Sequence, residues 1–210
     1  MALGKYTGSA VTFANLSFKE GVFFTGKKDA RESHNFVTGV PVAFNVVPKE
    51  YEGEQYHEAQ VTLEDSKDSS RIVVTCNAGT FGGGQLVGLI LRAVKEYPGQ
   101  ELRLNAWKME AGDKMADGTL LAKGKTGVSG WVGKTRIQPL YAGGAERLPD
   151  APKVKVSGKE MADMTPVIEA IAETAGELIE ALSAVAAQDA PAEESINAEQ
   201  AMAAAQRQRG

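Results

Sequence analysis

The chain has little of what catalytic and metal sites are usually built from. One cysteine, Cys76, and two histidines, His34 and His57, stand among 210 residues. A single thiol excludes an intrachain disulfide framework and a thiolate zinc site. Cys76 lies in Arg71-Ile72-Val73-Val74-Thr75-Cys76, on the face shared by Ile72 and Val74, and reads as a buried, inert thiol. His34 sits in a polar stretch and His57 opens a strand, with no local nucleophile–carboxylate set beside either. A non-enzymatic chain without cofactor or metal is therefore expected. Long apolar runs are also missing, and Met1-Ala2-Leu3-Gly4-Lys5-Tyr6 lacks the apolar core of a signal peptide. The expectation is a soluble, cytoplasmic protein with no membrane partner. An excess of basic charge is absent too, the net charge being −4. Its distribution is uneven: residues 151–210 carry 5 Lys/Arg against 10 Asp/Glu, leaving 18 against 17 before them. The acidity is in the tail, so a local phosphate-binding patch in the front part is compatible with the total.

Two glycine–lysine–threonine triplets imitate a phosphate loop. That loop needs four residues between its first glycine and the triplet, whereas five separate Gly118 and Gly127 from theirs. Neither sits between a strand and a helix. Gly79-Thr80-Phe81-Gly82-Gly83-Gly84 does join a strand to a helix, yet it lacks a third spaced glycine, since position 87 is valine. It is read as a flexible connection.

What the chain has is strand periodicity up to about residue 140. Asn15–Phe24 is expected as one strand, with Leu16, Phe18, Val22 and Phe24 on one side and Lys19 and Phe23 on the other. Phe36–Val47 groups Phe36, Val42, Phe44 and Val46, and Pro41 marks an edge or a bulge. Tyr56–Glu64 turns Ala59, Val61 and Leu63 inward and Tyr56 outward, and Arg71–Asn77 follows. The period changes to helical over Gln85–Tyr97 and stops at Pro98-Gly99. Two strands, Glu101–Met109 and Gly127–Ile137, close the series. Three strands, a helix and two strands make a mainly β fold. The expected form is an OB-like five-stranded Greek-key barrel over residues 1–148, with its helix between strands three and four and the Asn15–Phe24 strand as an extra.

A linker is expected over 149–164, then an amphipathic acidic helix over 165–188 that Thr165-Pro166 begins, and a mobile tail over 189–210. Ile168, Ile171, Ala175, Leu178, Leu182 and Val185 repeat at threes and fours, flanked by Glu169, Glu173, Glu177 and Glu180. The like charges favour docking on a partner or on the barrel over a homodimer, which remains the alternative.

Both tryptophans point away from the expected core. In Leu102-Arg103-Leu104-Asn105-Ala106-Trp107 the leucines and alanine share one face, and Arg103, Asn105 and Trp107 the other. Val128 and Val132 likewise oppose Trp131. Outward rings beside an arginine suit planar, anionic ligands, of which single-stranded nucleic acid is the commonest. The candidate surface comprises Trp107, Trp131, Tyr56, Arg103, Phe23 and Lys19 from strands. Loops add Tyr51, Lys27, Lys28, Arg31, Lys123 and Lys125.

Over residues 12–140 this order of elements, with Gln85-Leu86-Val87-Gly88-Leu89-Ile90-Leu91 ahead of Glu101-Leu102-Arg103-Leu104-Asn105-Ala106-Trp107, resembles phage-type single-stranded DNA-binding proteins with an OB fold. The resemblance implies sequence-independent binding of single-stranded DNA, with RNA as a variant, in phage replication, recombination or repair. It would place the protein in the host cytoplasm. Such proteins often recruit replication partners through an acidic tip. This chain ends Gln206-Arg207-Gln208-Arg209-Gly210, so that role falls to the acidic helix face of Glu169–Glu180, which would also compete with DNA for the barrel's lysines. The alternative is a non-enzymatic structural or adaptor protein that uses the same aromatic surface for protein contacts.

Overall fold

A computed structural model of the chain describes residues 11–26, 30–51, 53–140, 148–156, 159–163 and 165–189. The strand periods become β1 (Val11–Ser17), β2 (Val22–Thr25), β3 (Glu32–His34), β4 (Phe36–Tyr51), β5 (Glu54–Glu64) and β6 (Arg71–Asn77). Helix α1 (Phe81–Glu96) follows, then β7 (Leu102–Met109), β8 (Lys125–Val132) and β9 (Thr135–Ile137). A hairpin of β10 (Lys153–Val156) and β11 (Lys159–Ala162) precedes α2 (Thr165–Asp189). The hairpin occupies the stretch expected to be a linker.

The fold is mainly β, but it is not a closed five-stranded barrel. Nine strands form one open mixed sheet in the order β3-β2-β1-β6-β5-β4-β7-β8-β9. The expected succession survives as β4, β5, β6, α1, β7 and β8. Closure fails because the edge of β6 that a last barrel strand would need is already occupied. There β1 runs parallel to β6, Val11 opposite Arg71 and Asn15 opposite Thr75. Asn15 Nδ2 donates to Thr75 Oγ1 at 3.2 Å across that seam. The second edge of β8 is in turn taken by β9.

Two local irregularities decide which side chains face inward. A turn at Phe18–Gly21 splits the expected Asn15–Phe24 strand into the β1–β2 hairpin, in which Leu16 faces Phe23. Partners across a ladder share a face, so Phe23 joins Leu16 in the core and is fully buried. The expectation of an outward Phe23 is corrected, and Phe24 is the residue on the outer face. In β4 the register slips between Pro41 and Ala43, the bulge that Pro41 suggested. The extra residue reverses the alternation. Val37 is buried ahead of it and Phe44 beyond it, which turns Phe36 outward at 47% exposure.

Helix α1 begins at the N-cap Thr80, whose hydroxyl accepts from the Gly83 amide at 3.0 Å. It is buried on nearly all sides, from Leu86 and Val87 through Leu91 to Val94, as befits a helix lying between two layers. One layer is the inner face of the sheet, where Gly130 of β8 meets Leu89. The other is α2, whose Val167, Ile171, Ala175, Leu178 and Leu182 are buried in the same core. The glycines in the first turn of α1 serve this approach and are not a flexible connection. A Cβ on Gly82 would overlap the Phe18 ring at 2.6 Å, and one on Gly84 would lie 2.9 Å from Ile171. The C-terminal helix is thus an integral layer, tied further by Lys95 Nζ to Glu177 Oε2 at 2.8 Å. Among the described residues no helix is long and apolar enough to cross a membrane.

Candidate nucleic-acid interface

The side of β7 and β8 that faces away from the helices carries both tryptophans. On β7, Leu102, Leu104 and Ala106 are buried while Arg103 is exposed and Asn105 and Trp107 are half-buried. On β8, Val128, Gly130 and Val132 are buried and Trp131 is half-buried. Register then brings side chains from four strands together. Thr38 of β4 lies opposite Arg103, Arg103 opposite Trp131, and Trp131 opposite Arg136 of β9. Trp131 is therefore flanked by an arginine on each neighbouring strand.

The next row sets Phe36 opposite Asn105. The Arg103 guanidinium carbon stands 4.0 Å over the centre of the Phe36 ring, and its Nε donates to Asn105 Oδ1 at 3.0 Å. Stacking and hydrogen bonding hold this guanidinium in place on the sheet. In the third row Trp107 is opposite Gly127, and its six-membered ring occupies the space a side chain would need, 2.5 Å from a Cβ built there. Only glycine lets the indole settle on β8. Part of the burial of Trp107 is thus structural, whereas Trp131 has charged neighbours on both sides. Among the described residues neither Arg103 nor Arg136 is ion-paired, so both charges remain available to an anion.

Of the expected site residues, Trp107, Trp131 and Arg103 share this patch. Lys125 begins β8, opposite Met109, and Lys123 is exposed just ahead of it in the β7–β8 connection. Lys19 is exposed in the β1–β2 turn, whose Gly21 abuts the backbone of Trp107 and Lys108. Arg31 stacks on β2, its guanidinium carbon 3.2 Å over the Phe24 ring. Tyr56 is half-buried at the mouth of a groove beside α2, away from the tryptophans. Lys27, Lys28 and the Tyr51 side chain lie outside the described residues. The stretch 48–51, expected as part of a loop, instead continues β4 and pairs with β5, Pro48 opposite His57 and Tyr51 opposite Glu54.

Two members of the patch escaped the sequence reading. Phe36 was hidden by the bulge, although Pro41 signalled one. Arg136 was hidden because 127–137 reads as a single strand. The signal was Gly133-Lys134 between Val132 and Thr135: Gly133 has φ +56°, and the two-residue turn folds β9 back onto β8. The acidic row of α2 does not reach this surface, because α2 covers α1 and the inner face of β4 on the other side of the sheet.

Among the described residues no group of three or more His, Cys, Asp or Glu side chains could hold a metal ion. Burial, with Glu58 adding to it, pushes the Cys76 thiol up to about 12. Asp117, in the β7–β8 connection, is held below the usual carboxylate range by the Thr119 hydroxyl and amide, which donate to it at 2.7 and 2.9 Å. No protein-family model, curated protein or solved structure matches the chain.

Proposed function

We propose that the chain binds single-stranded DNA, or RNA, across the outer face of β4, β7, β8 and β9, without sequence preference and without catalysis. The observation that carries this reading is the cross-strand row Arg103–Trp131–Arg136, with Phe36 under Arg103 and Trp107 one row away. Aromatic faces accept any base, and each stacked base contributes about 1–3 kcal/mol. The two arginines and the nearby Lys19 and Lys125 supply phosphate contacts on a chain whose net charge is −4, so binding is moderate and sensitive to salt. A role in covering single strands during phage replication, recombination or repair accords with this surface.

Titration with oligo(dT) tests it. Both tryptophans lie on the proposed surface, so their emission is expected to be quenched by oligo(dT) and not by duplex of equal length. The quenching should recede as salt rises, and RNA of the same length ranks the two nucleic acids. Unchanged emission and no binding at low salt would refute the reading in favour of a protein-contact role for the same face.

A further inference from the structure

We propose that the groove between α2 and the inner face of β4 and β5 is the docking site for a basic amphipathic helix of a protein partner. The inference refines the expected role of the acidic helix face and stands apart from the nucleic-acid reading. Two adjoining cavities form the groove. The larger, about 580 Å³, is lined by Val46, Tyr56, Ala78, Ile168, Ala172 and Ile179. The smaller, about 200 Å³, continues past Ile179 to Val42, Phe44 and Leu182. Four large aliphatic side chains stay open along this line: Val42 at 37%, Val46 at 39%, Ile168 at 43% and Ile179 at 44% exposure.

Gly176 points the same way. A glycine inside a helix costs roughly 0.5–1 kcal/mol relative to alanine, and close packing usually explains it. Here a Cβ would meet nothing within 4 Å. The position lines the larger cavity, and the missing side chain keeps the groove open.

Charge selects the occupant. At about 100° per residue, Glu169, Glu173 and Glu180 fall beside Gly176 and Ser183 on the solvent rim of the groove. All three are exposed, and among the described residues none is ion-paired; Glu177 alone is taken, by Lys95. Nucleic acid is repelled by such a rim. A second copy would bring the same carboxylates against it. A helix with aliphatic anchors and lysines or arginines on its flanks satisfies both the floor and the rim. From Ile168 to Ala186 the groove follows five turns of α2, roughly 27 Å, so a partner helix of similar length can lie along it.

The probe is a labelled 18-residue peptide with leucines at i, i+4, i+7 and i+11 and lysines on both flanks, titrated into the full chain by fluorescence anisotropy. Saturable binding is expected, at least tenfold tighter than for the same peptide with glutamate flanks. Gly176→Leu should weaken it at least tenfold while keeping or raising Tm, because leucine favours helix more than glycine does. The triple change Glu169→Lys, Glu173→Lys and Glu180→Lys should weaken it comparably. Absent binding, equal affinity for both peptides, or unaltered binding by Gly176→Leu overturns the proposal. So does a concentration-dependent dimer that Gly176→Leu abolishes, which would give the groove to a second copy. Oligo(dT) binding by Gly176→Leu separates failure here from failure of the nucleic-acid reading.

Discussion

Replacing Trp131 by alanine removes the ring between Arg103 and Arg136 while leaving both charges in place. Replacing Arg136 does the reverse. The pair of variants therefore separates stacking from phosphate contact on one cross-strand row. Loss of one stacked base costs about 1–3 kcal/mol, which is roughly a 5- to 150-fold rise in Kd. That loss is nearly independent of salt, so a plot of log K against log salt for Trp131→Ala should run parallel to the parent's. Loss of one phosphate contact on a single strand changes the slope by about 0.7, and so Arg136→Ala should flatten the plot. Over a fourfold salt range that amounts to about a 2.6-fold change in relative affinity. Trp131 is half-buried and its cross-strand pairs are each worth roughly 0.2–1 kcal/mol, so Tm should fall by only a few degrees. The assay is anisotropy of labelled oligo(dT) at several salt concentrations. A Kd for Trp131→Ala within twofold of the parent, or an altered slope, would refute the stacking argument.

Two further outcomes follow from the core. Leu178 is fully buried between α2 and α1, so Leu178→Ala should cost about 2–5 kcal/mol in a denaturant titration. A loss below about 0.5 kcal/mol would mean that α2 is a detached appendage. Cys76 should resist a thiol reagent at pH 8 in the native protein and react fully once denaturant is added. Its thiol ionises near 9.0 when unfolded but near 12 when buried, so between those values the unfolded chain sheds a proton that the folded one keeps. Stability should therefore fall as pH rises through that window, by up to about 1.4 kcal/mol per unit from this group, and Cys76→Ala should lessen the slope.

Much of the element order was legible because it rests on local periods. The outward tryptophans followed from simple alternation in strands that carry no irregularity between their core residues and their rings. Alternation misled wherever the chain broke it. The turn at Phe18–Gly21 moved Phe23 inward, and the bulge past Pro41 moved Phe36 outward. A turn or bulge changes the parity of everything beyond it, so one unplaced residue misassigns a whole strand face. The reading of 149–164 as a linker missed the β10–β11 hairpin, and the reading of a docked acidic helix left its surface open between a partner and the barrel. The apolar stripe from Val167 to Leu182 had a surface to bury against that no local window could reveal.

The sequence by itself determined the mainly β character, the helix after the third barrel-type strand, the inert thiol and the outward parity of Trp107 and Trp131. Each depends on residues a few positions apart. Only the tertiary structure decided that the sheet stays open, that α2 forms its outer helical layer, and that Arg103, Trp131 and Arg136 stand in one row. Those outcomes depend on which edges meet. The seam that replaces barrel closure joins Asn15 to Thr75, 60 residues apart. Neighbours in sequence carry no record of such a choice, because strand edges offer the same backbone donors and acceptors to any partner, and it is long-range packing that selects between them.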